Sequence, residues 1–159
     1  MANGYYRFSF GSARNSDISI AYSANQGGPF TPYTEPDWPP SPTKQGSILK
    51  ANPNDTIYIQ LQGPSGWSLS GQVQVIIARA NDAASGQAYS PFSNDVVWMN
   101  PQGTMTDGIW QASLGSISTN PGNGVKNHFE ITVAFNANLP NVTGACYFAE
   151  DPEMEVDGQ

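Results

Sequence analysis

"GWSLSGQVQVIIARA", residues 66–80, carries the strand pattern that decides the fold class of this chain. Val73, Val75 and Ile77 stand at every second position, which is the spacing of a β-strand that buries one face. Gly71 precedes this run and predicts a bulge or a turn. The stretch therefore predicts a strand near the middle of a β-sheet.

The same alternation appears on both sides of this stretch. "GYYRFSF" and "SDISIAYS", residues 4–10 and 16–23, are joined by a short polar connection, so we expect them to form an antiparallel hairpin. A turn at "NPND", residues 52–55, is followed by a further strand. The residues predicted to face inward from these strands and from "NHFEITVAFNA" are Tyr6, Phe8, Phe10, Ile18, Ile20, Tyr22, Ile57, Ile59, Leu61, Phe129, Ile131, Val133 and Phe135.

The chain lacks the apolar spacing of an amphipathic helix, and proline or glycine interrupts most windows long enough to hold one. Roughly eight or nine short strands are predicted, with little or no helix. We expect one all-β domain over residues 1–159, folded as an antiparallel two-sheet β-sandwich of jelly-roll or immunoglobulin-like type. A closed barrel is the main alternative. A proline-rich surface loop at 24–46 and an acidic segment at 150–159 complete the predicted domain.

Charge and composition argue against several classes of partner. Only 12% of residues are charged, and the net charge of −7 with six scattered cations argues against nucleic acid or anionic membrane surfaces. Neither a basic-then-apolar leader nor a long apolar run is present, so the chain is expected to be cytoplasmic. Cys146 is the only cysteine, and its apolar strand predicts a buried, inert thiol.

Catalytic motifs are sparse, and the sequence predicts no enzyme. His128 opens a predicted strand with its ring opposite Phe129, which predicts an exposed or edge-capping side chain. A hydrolase that uses paired carboxylates stays open as a hypothesis, because the sequence cannot show which acids converge. Its candidates are Asp95, Asp107 and Glu130.

The acidic segment holds the only metal candidates, and no cofactor is predicted. Carboxylates at every second position share one face of an extended chain, but a strand spreads them too far apart to converge on calcium. A solvated acidic edge that discourages aggregation is the preferred interpretation. The residues concerned are Asp151, Glu153, Glu155 and Asp157, with Pro152, Met154 and Val156 on the opposite face.

Aromatic rings beside polar side chains are typical of carbohydrate-binding surfaces, because rings cover sugar faces while carboxylates and amides bind hydroxyls. Trp67 and Trp110 lie in alternating apolar strands and are predicted to be in the core. Trp38 lies among prolines and acids in the proline-rich loop instead. The candidate ligand-binding residues are Tyr22, Tyr33, Asp37 and Trp38.

The order of "ILKANPNDTIYIQLQ", "GWSLSGQVQVIIA" and "FEITVAF" before "ACYFAEDPEMEV" resembles the bacterial inclusion-body protein family that includes the PixA and AidA proteins. The matching positions are Asn54, Asp55, Ile57, Ser68, Leu69, Ser70, Asp151 and Pro152. The resemblance implies a small cytoplasmic β-sandwich without catalytic residues that accumulates in dense or crystalline bodies and is linked to stress or cell density.

Three functions follow from these observations. The first is a non-catalytic β-sandwich that self-associates, with a further copy of the chain as its partner; the low charge of the body favours it, since such a surface resists like-molecule contact poorly. The alternative is a lectin-like module for carbohydrate. The second alternative is the hydrolase with paired carboxylates.

Overall fold

The computed structural model describes residues 2–14, 16–36, 46–79, 91–92, 96–99, 104–118, 120, 122–124 and 126–159. Within these ranges no residue is helical, and no element is a helix able to cross a membrane. The strands are β1 (Asn3–Ser9), β2 (Ser19–Ser23), β3 (Thr31–Pro32), β4 (Leu49–Ala51), β5 (Thr56–Gln62), β6 (Ser68–Leu69), β7 (Val73–Arg79), β8 (Val96–Met99), β9 (Thr104–Thr106), β10 (Ile109–Ser116), β11 (Lys126–Asn138), β12 (Cys146–Glu150) and β13 (Glu153–Asp157).

Two sheets pack together, which confirms the predicted all-β sandwich. The six-stranded sheet has the order β3-β2-β1-β5-β10-β9. The seven-stranded sheet has the order β4-β13-β11-β7-β8, with β12 and β6 also paired to β11. One hydrophobic cluster, with residues from both sheets, fills the space between them.

The prediction of purely antiparallel sheets was wrong. β1 pairs with β5 in parallel, and β13 pairs with β4 in parallel. Side chains alternate in the same way in parallel and antiparallel strands, so the sequence pattern does not distinguish the two. The predicted number of strands was also too low, because strands of two or three residues such as β3, β6 and β9 are too short to show alternation.

The inward-facing residues were predicted correctly where alternation was strong. Val73, Val75 and Ile77 of β7 are buried, as are the predicted inner positions of β1, β5 and β11, while Ile18, Ile20 and Tyr22 on or beside β2 are only partly buried and pack against the core. Trp67 and Trp110 are buried as predicted, and the Trp67 Nε1–H donates to the Gly108 carbonyl oxygen at 2.7 Å. Both faces of the core therefore come from period-two strands.

Three further predicted features, a hairpin and two turns, are also found. β1 and β2 form the expected antiparallel hairpin. Gly71, with φ of 87°, lies between β6 and β7, which both pair with β11, so the predicted interruption of the strand is confirmed. In the turn at 52–55, Asn54 has φ of 72° and the Asp55 carboxylate accepts hydrogen bonds from the backbone N–H groups of Asn52 and Ala2.

Candidate functional site

Tyr22 and Tyr33 stabilise the body of the protein, whereas Asp37 and Trp38 lie outside the described residues. Both tyrosine rings pack against the hydrophobic core. The Tyr22 hydroxyl lies 2.8 Å from Ser47 Oγ, and the Tyr33 hydroxyl accepts a hydrogen bond from the Glu153 backbone N–H at 3.1 Å. The described part of the predicted binding set thus faces the core, and carbohydrate binding by the full set stays a prediction.

Two tyrosine hydroxyls hold the backbone at the beginning of β13. Tyr33 accepts from the Glu153 N–H, and the Tyr6 hydroxyl donates to the Glu153 carbonyl oxygen. The same Tyr6 oxygen accepts from the Leu49 N–H at 3.3 Å, so it joins β4 to β13. Burial raises the pKa of Tyr6 well above its ordinary value and that of Tyr33 to about 12, so both hydroxyls keep their protons.

The prediction of a solvated acidic edge was wrong. β13 pairs with β11 on one side and with β4 on the other, so it is an interior strand. Pro152, Met154 and Val156 are buried, as expected from their docking on the body, but Glu153 and Glu155 are also only 7% exposed. Their neighbours on the outer face of the seven-stranded sheet cover them, which a single strand's pattern does not reveal.

Glu155 is the centre of an ionic cluster. Its carboxylate lies 2.7 Å from His128 Nε2, 3.2 Å from Lys126 Nζ and 3.9 Å from Lys50 Nζ. The hydrogen bond from His128 is the main cause that lowers the pKa of Glu155 to about 2, against the opposing effect of burial. The predicted exposed position of His128 was therefore wrong, because its ring packs beside Glu155 on the neighbouring strand.

Glu153 also lies on β13, two residues before Glu155, and has acidic neighbours. It lies directly opposite Glu130 in the ladder, and its buried Oε2 has no hydrogen-bond partner among the described residues. Burial raises the pKa of Glu153; the charges of Glu35, Glu130 and Asp151 add to this effect, and His128 partly offsets it. Within the described ranges, no three His, Cys, Asp or Glu side chains are placed to hold a metal ion.

The described acids of the hydrolase hypothesis do not share a cleft. Asp95 lies outside the described residues. Asp107 belongs to the turn between β9 and β10 of the six-stranded sheet, and Glu130 lies on the outer face of the seven-stranded sheet. The two sheets pack with their inner faces together, so these carboxylates lie on opposite sides of the sandwich.

Cys146 is 1% exposed, which confirms the predicted burial of its thiol.

A polar cleft, which the sequence patterns did not predict, lies on the outer face of the six-stranded sheet. We call it the glutamine cleft. It has a volume of about 260 Å³, and its lining includes Arg7, Gln26, Gln60, Thr106, Asp107 and Gln111. Arg7, Gln60 and Gln111 are in register across β1, β5 and β10. Each of these side chains is at an outward-facing, polar position of its strand. The strand order, which the sequence pattern does not give, brings them together.

The open edge of β12 is the second exposed feature. β12 pairs with β11 on one side and with no other strand among those described. Tyr147 has an exposed fraction of 67%, and Ala145 and Ala149 are exposed as well. The nearby Arg14 donates to the Thr143 carbonyl oxygen at 2.6 Å. An exposed strand edge carries unpaired backbone groups and is a template for another strand.

Comparisons with known proteins find no family model that matches the chain and no curated protein that is similar to it.

Proposed function

We propose that this chain is a non-catalytic β-sandwich protein that self-associates, with β12 pairing antiparallel to β12 of a second copy. The observation that supports this proposal is the open edge of β12, which pairs with β11 and with no other described strand. Addition of a strand to an open edge supplies main-chain hydrogen bonds without a preformed pocket. In this proposal the added strand is the same edge strand of a second copy.

The direction of the backbone groups supports this pairing. The Ile131 N–H donates to the Pro152 carbonyl oxygen, and β12 and β13 pair with β11 in one continuous register. In an antiparallel ladder, bonded positions alternate, so even-numbered residues of β12 bond to β11 and Tyr147 and Ala149 direct their N–H and C=O groups outward. Tyr147 of one copy then pairs with Ala149 of the second, and the reverse, around a two-fold axis at Phe148.

Charge complementarity favours the same geometry. In this register, Asp151 of the second copy lies opposite Ala145, close to Thr143 and therefore to Arg14, which binds the Thr143 carbonyl oxygen. Two exposed Arg–Asp contacts result from the two-fold symmetry. Each contributes little, up to about 1 kcal/mol, so the charges favour the register more than they increase the affinity.

The proposed contact is weak and depends on concentration. Four interchain backbone hydrogen bonds at about 0.5–1.5 kcal/mol each are opposed by the lost freedom of two molecules. High local concentration therefore favours the dimer; because a two-fold contact stops at two copies, the dense bodies that the resemblance to the inclusion-body family implies need further contacts between dimers. This storage-like accumulation, linked to stress or cell density, forms part of the proposal.

The test is sedimentation equilibrium over a wide range of protein concentration. Ala149→Pro removes one outward N–H at an edge, where proline is tolerated, and Ala149→Val is the matched control that keeps this N–H. Tyr147→Lys adds a charge at the same edge and serves if the proline variant does not fold. We expect dimers for the wild type and Ala149→Val and monomers for the other two variants. A wild type that stays monomeric, or edge variants that dimerise equally well, would overturn the proposal.

A further inference from the structure

The glutamine cleft has ordered polar walls and no role in the proposed self-association, because it lies on the six-stranded sheet and β12 belongs to the other sheet. Gln60, at its base, is 2% exposed. Its volume of about 260 Å³ is slightly below that of pockets for drug-sized ligands. The space suits a small ligand or the end of a longer one.

Hydrogen bonds fix the orientation of the polar groups. Arg7 Nε–H donates to Gln60 Oε1 at 2.9 Å, and Gln60 Nε2 donates to Gln111 Oε1 at 2.8 Å. The second N–H of Gln60 Nε2 donates to the Gln26 carbonyl oxygen at 3.1 Å. Gln60 has therefore used both amide donors, whereas the Gln111 amide nitrogen makes no hydrogen bond within the described ranges. Both ends of this row present N–H donors, from Arg7 and from Gln111.

Arg7 is held in place before any ligand binds. Its guanidinium carbon lies 3.8 Å from the centre of the Phe30 ring, and Gln60 fixes its Nε. No carboxylate among the described residues forms an ion pair with it. The remaining N–H groups of the Arg7 guanidinium are thus available to donate to oxygen atoms of a ligand. Because the side chain is already ordered, ligand binding costs little side-chain entropy.

Asp107 supplies acceptors to the same cleft. It has φ of 52° in the turn between β9 and β10 and is exposed. Its side chain makes no hydrogen bond to other described residues, so the carboxylate can accept from a ligand. The cleft therefore combines donors from Arg7 and Gln111 with an acceptor from Asp107. A hydroxyl group both donates and accepts, so adjacent hydroxyls match this arrangement.

We propose that the glutamine cleft binds a neutral polyhydroxy ligand, a monosaccharide or the end of a neutral glycan, through Arg7, Asp107 and Gln111. The Asp107 carboxylate and the net charge of −7 disfavour an anionic ligand. This site differs from the surface of Tyr22, Tyr33, Asp37 and Trp38 that the sequence predicted for carbohydrate.

A glycan array with neutral and uronate-containing saccharides provides the first test, followed by NMR titration of the best neutral monosaccharide. Asp107→Asn keeps a residue that tolerates positive φ and removes the charge, and Gln111→Ala removes the amide. Ser113→Ala, on the same face of β10, is the control. We expect each cleft variant to weaken binding about tenfold or more and the control to leave it unchanged.

Three results would overturn the proposal: no binding on the array, binding of acidic saccharides alone, or binding that the two cleft variants leave unchanged. Amide spectra of each variant without ligand show whether the fold is intact. Gln111 is only partly buried and Asp107 is exposed, so both variants are expected to fold. Loss of binding in both, with an unchanged spectrum, would support the site.

Discussion

Glu153 and Glu155 lie two residues apart on β13 and are each only 7% exposed, yet the pKa values of their carboxyl groups shift in opposite directions. The end of β13 near Glu155 faces His128, Lys126 and Lys50. The end near Glu153 faces Glu130 across the ladder. Burial penalises both carboxylates, and the neighbours across the sheet decide whether each charge stabilises or destabilises the fold.

The largest expected effect is that of Glu155→Gln. The substitution removes the carboxylate that faces the buried His128 and one of the two carboxylates beside Lys126, so we expect the free energy of unfolding at pH 7 to fall by roughly 2–3 kcal/mol. Asp157→Asn is the control, because this carboxylate is 32% exposed and should contribute less than about 1 kcal/mol. Urea unfolding measures both. Equal losses in the two variants would contradict the ionic cluster as a centre of stability.

The acid limb of stability is the second prediction. The pKa of Glu155 falls from its ordinary 4.5 to about 2 in the folded protein, so its contribution is complete above pH 4.5 and is lost as pH falls toward 2. Stability in that window should therefore decline by roughly 2 kcal/mol more in the wild type than in Glu155→Gln. Urea midpoints at several pH values give the two slopes. Parallel slopes would contradict this prediction.

Glu153→Gln should have the opposite sign and a smaller size. The pKa of Glu153 is raised, so its ionised form at neutral pH opposes folding and its protonation at lower pH favours folding. We expect the variant to be more stable than the wild type by about 1 kcal/mol at pH 7, with the gain shrinking toward pH 4. Thermal unfolding at the two pH values checks this. A variant that is less stable at pH 7 would show that the Glu153 carboxylate has a stabilising partner.

The smallest expected effect concerns the hydrogen bond from the Glu153 backbone N–H to Tyr33. Tyr33→Phe removes the hydroxyl that accepts the Glu153 N–H and should cost about 0.5–1 kcal/mol. Tyr58→Phe is the control, because the Tyr58 hydroxyl makes no hydrogen bond to the rest of the described chain. Hydrogen exchange at the Glu153 amide should accelerate in the first variant alone. Unchanged protection there would contradict the capping role of Tyr33.

The sequence revealed the inner faces of the strands more fully than the outer ones. Val75 or Ile131 shows its burial in the alternation of its own strand. Glu155 occupies a polar position in the alternation of β13, and that pattern alone does not show that it is buried. Its partner His128 lies 27 positions away. The glutamine cleft joins Arg7 to Gln60 over 53 positions and Gln60 to Gln111 over 51. Such outer-face contacts depend on strand order, which local periodicity does not encode.

The Tyr6 hydroxyl joins β4 to the carbonyl oxygen of Glu153, which lies 147 positions after Tyr6 in the chain. β13 lies between β4 and β11 in its sheet. During synthesis, β4 therefore leaves the ribosome long before the strand that it pairs with. Until β13 has been synthesised, the strands beside its position expose unpaired backbone groups and apolar side chains. Chaperones or other copies of the chain can bind this surface. Folding dominated by such distant contacts is slow, on the order of milliseconds to seconds. Synthesis rate and chaperone supply would thus influence how much of this protein reaches its native state.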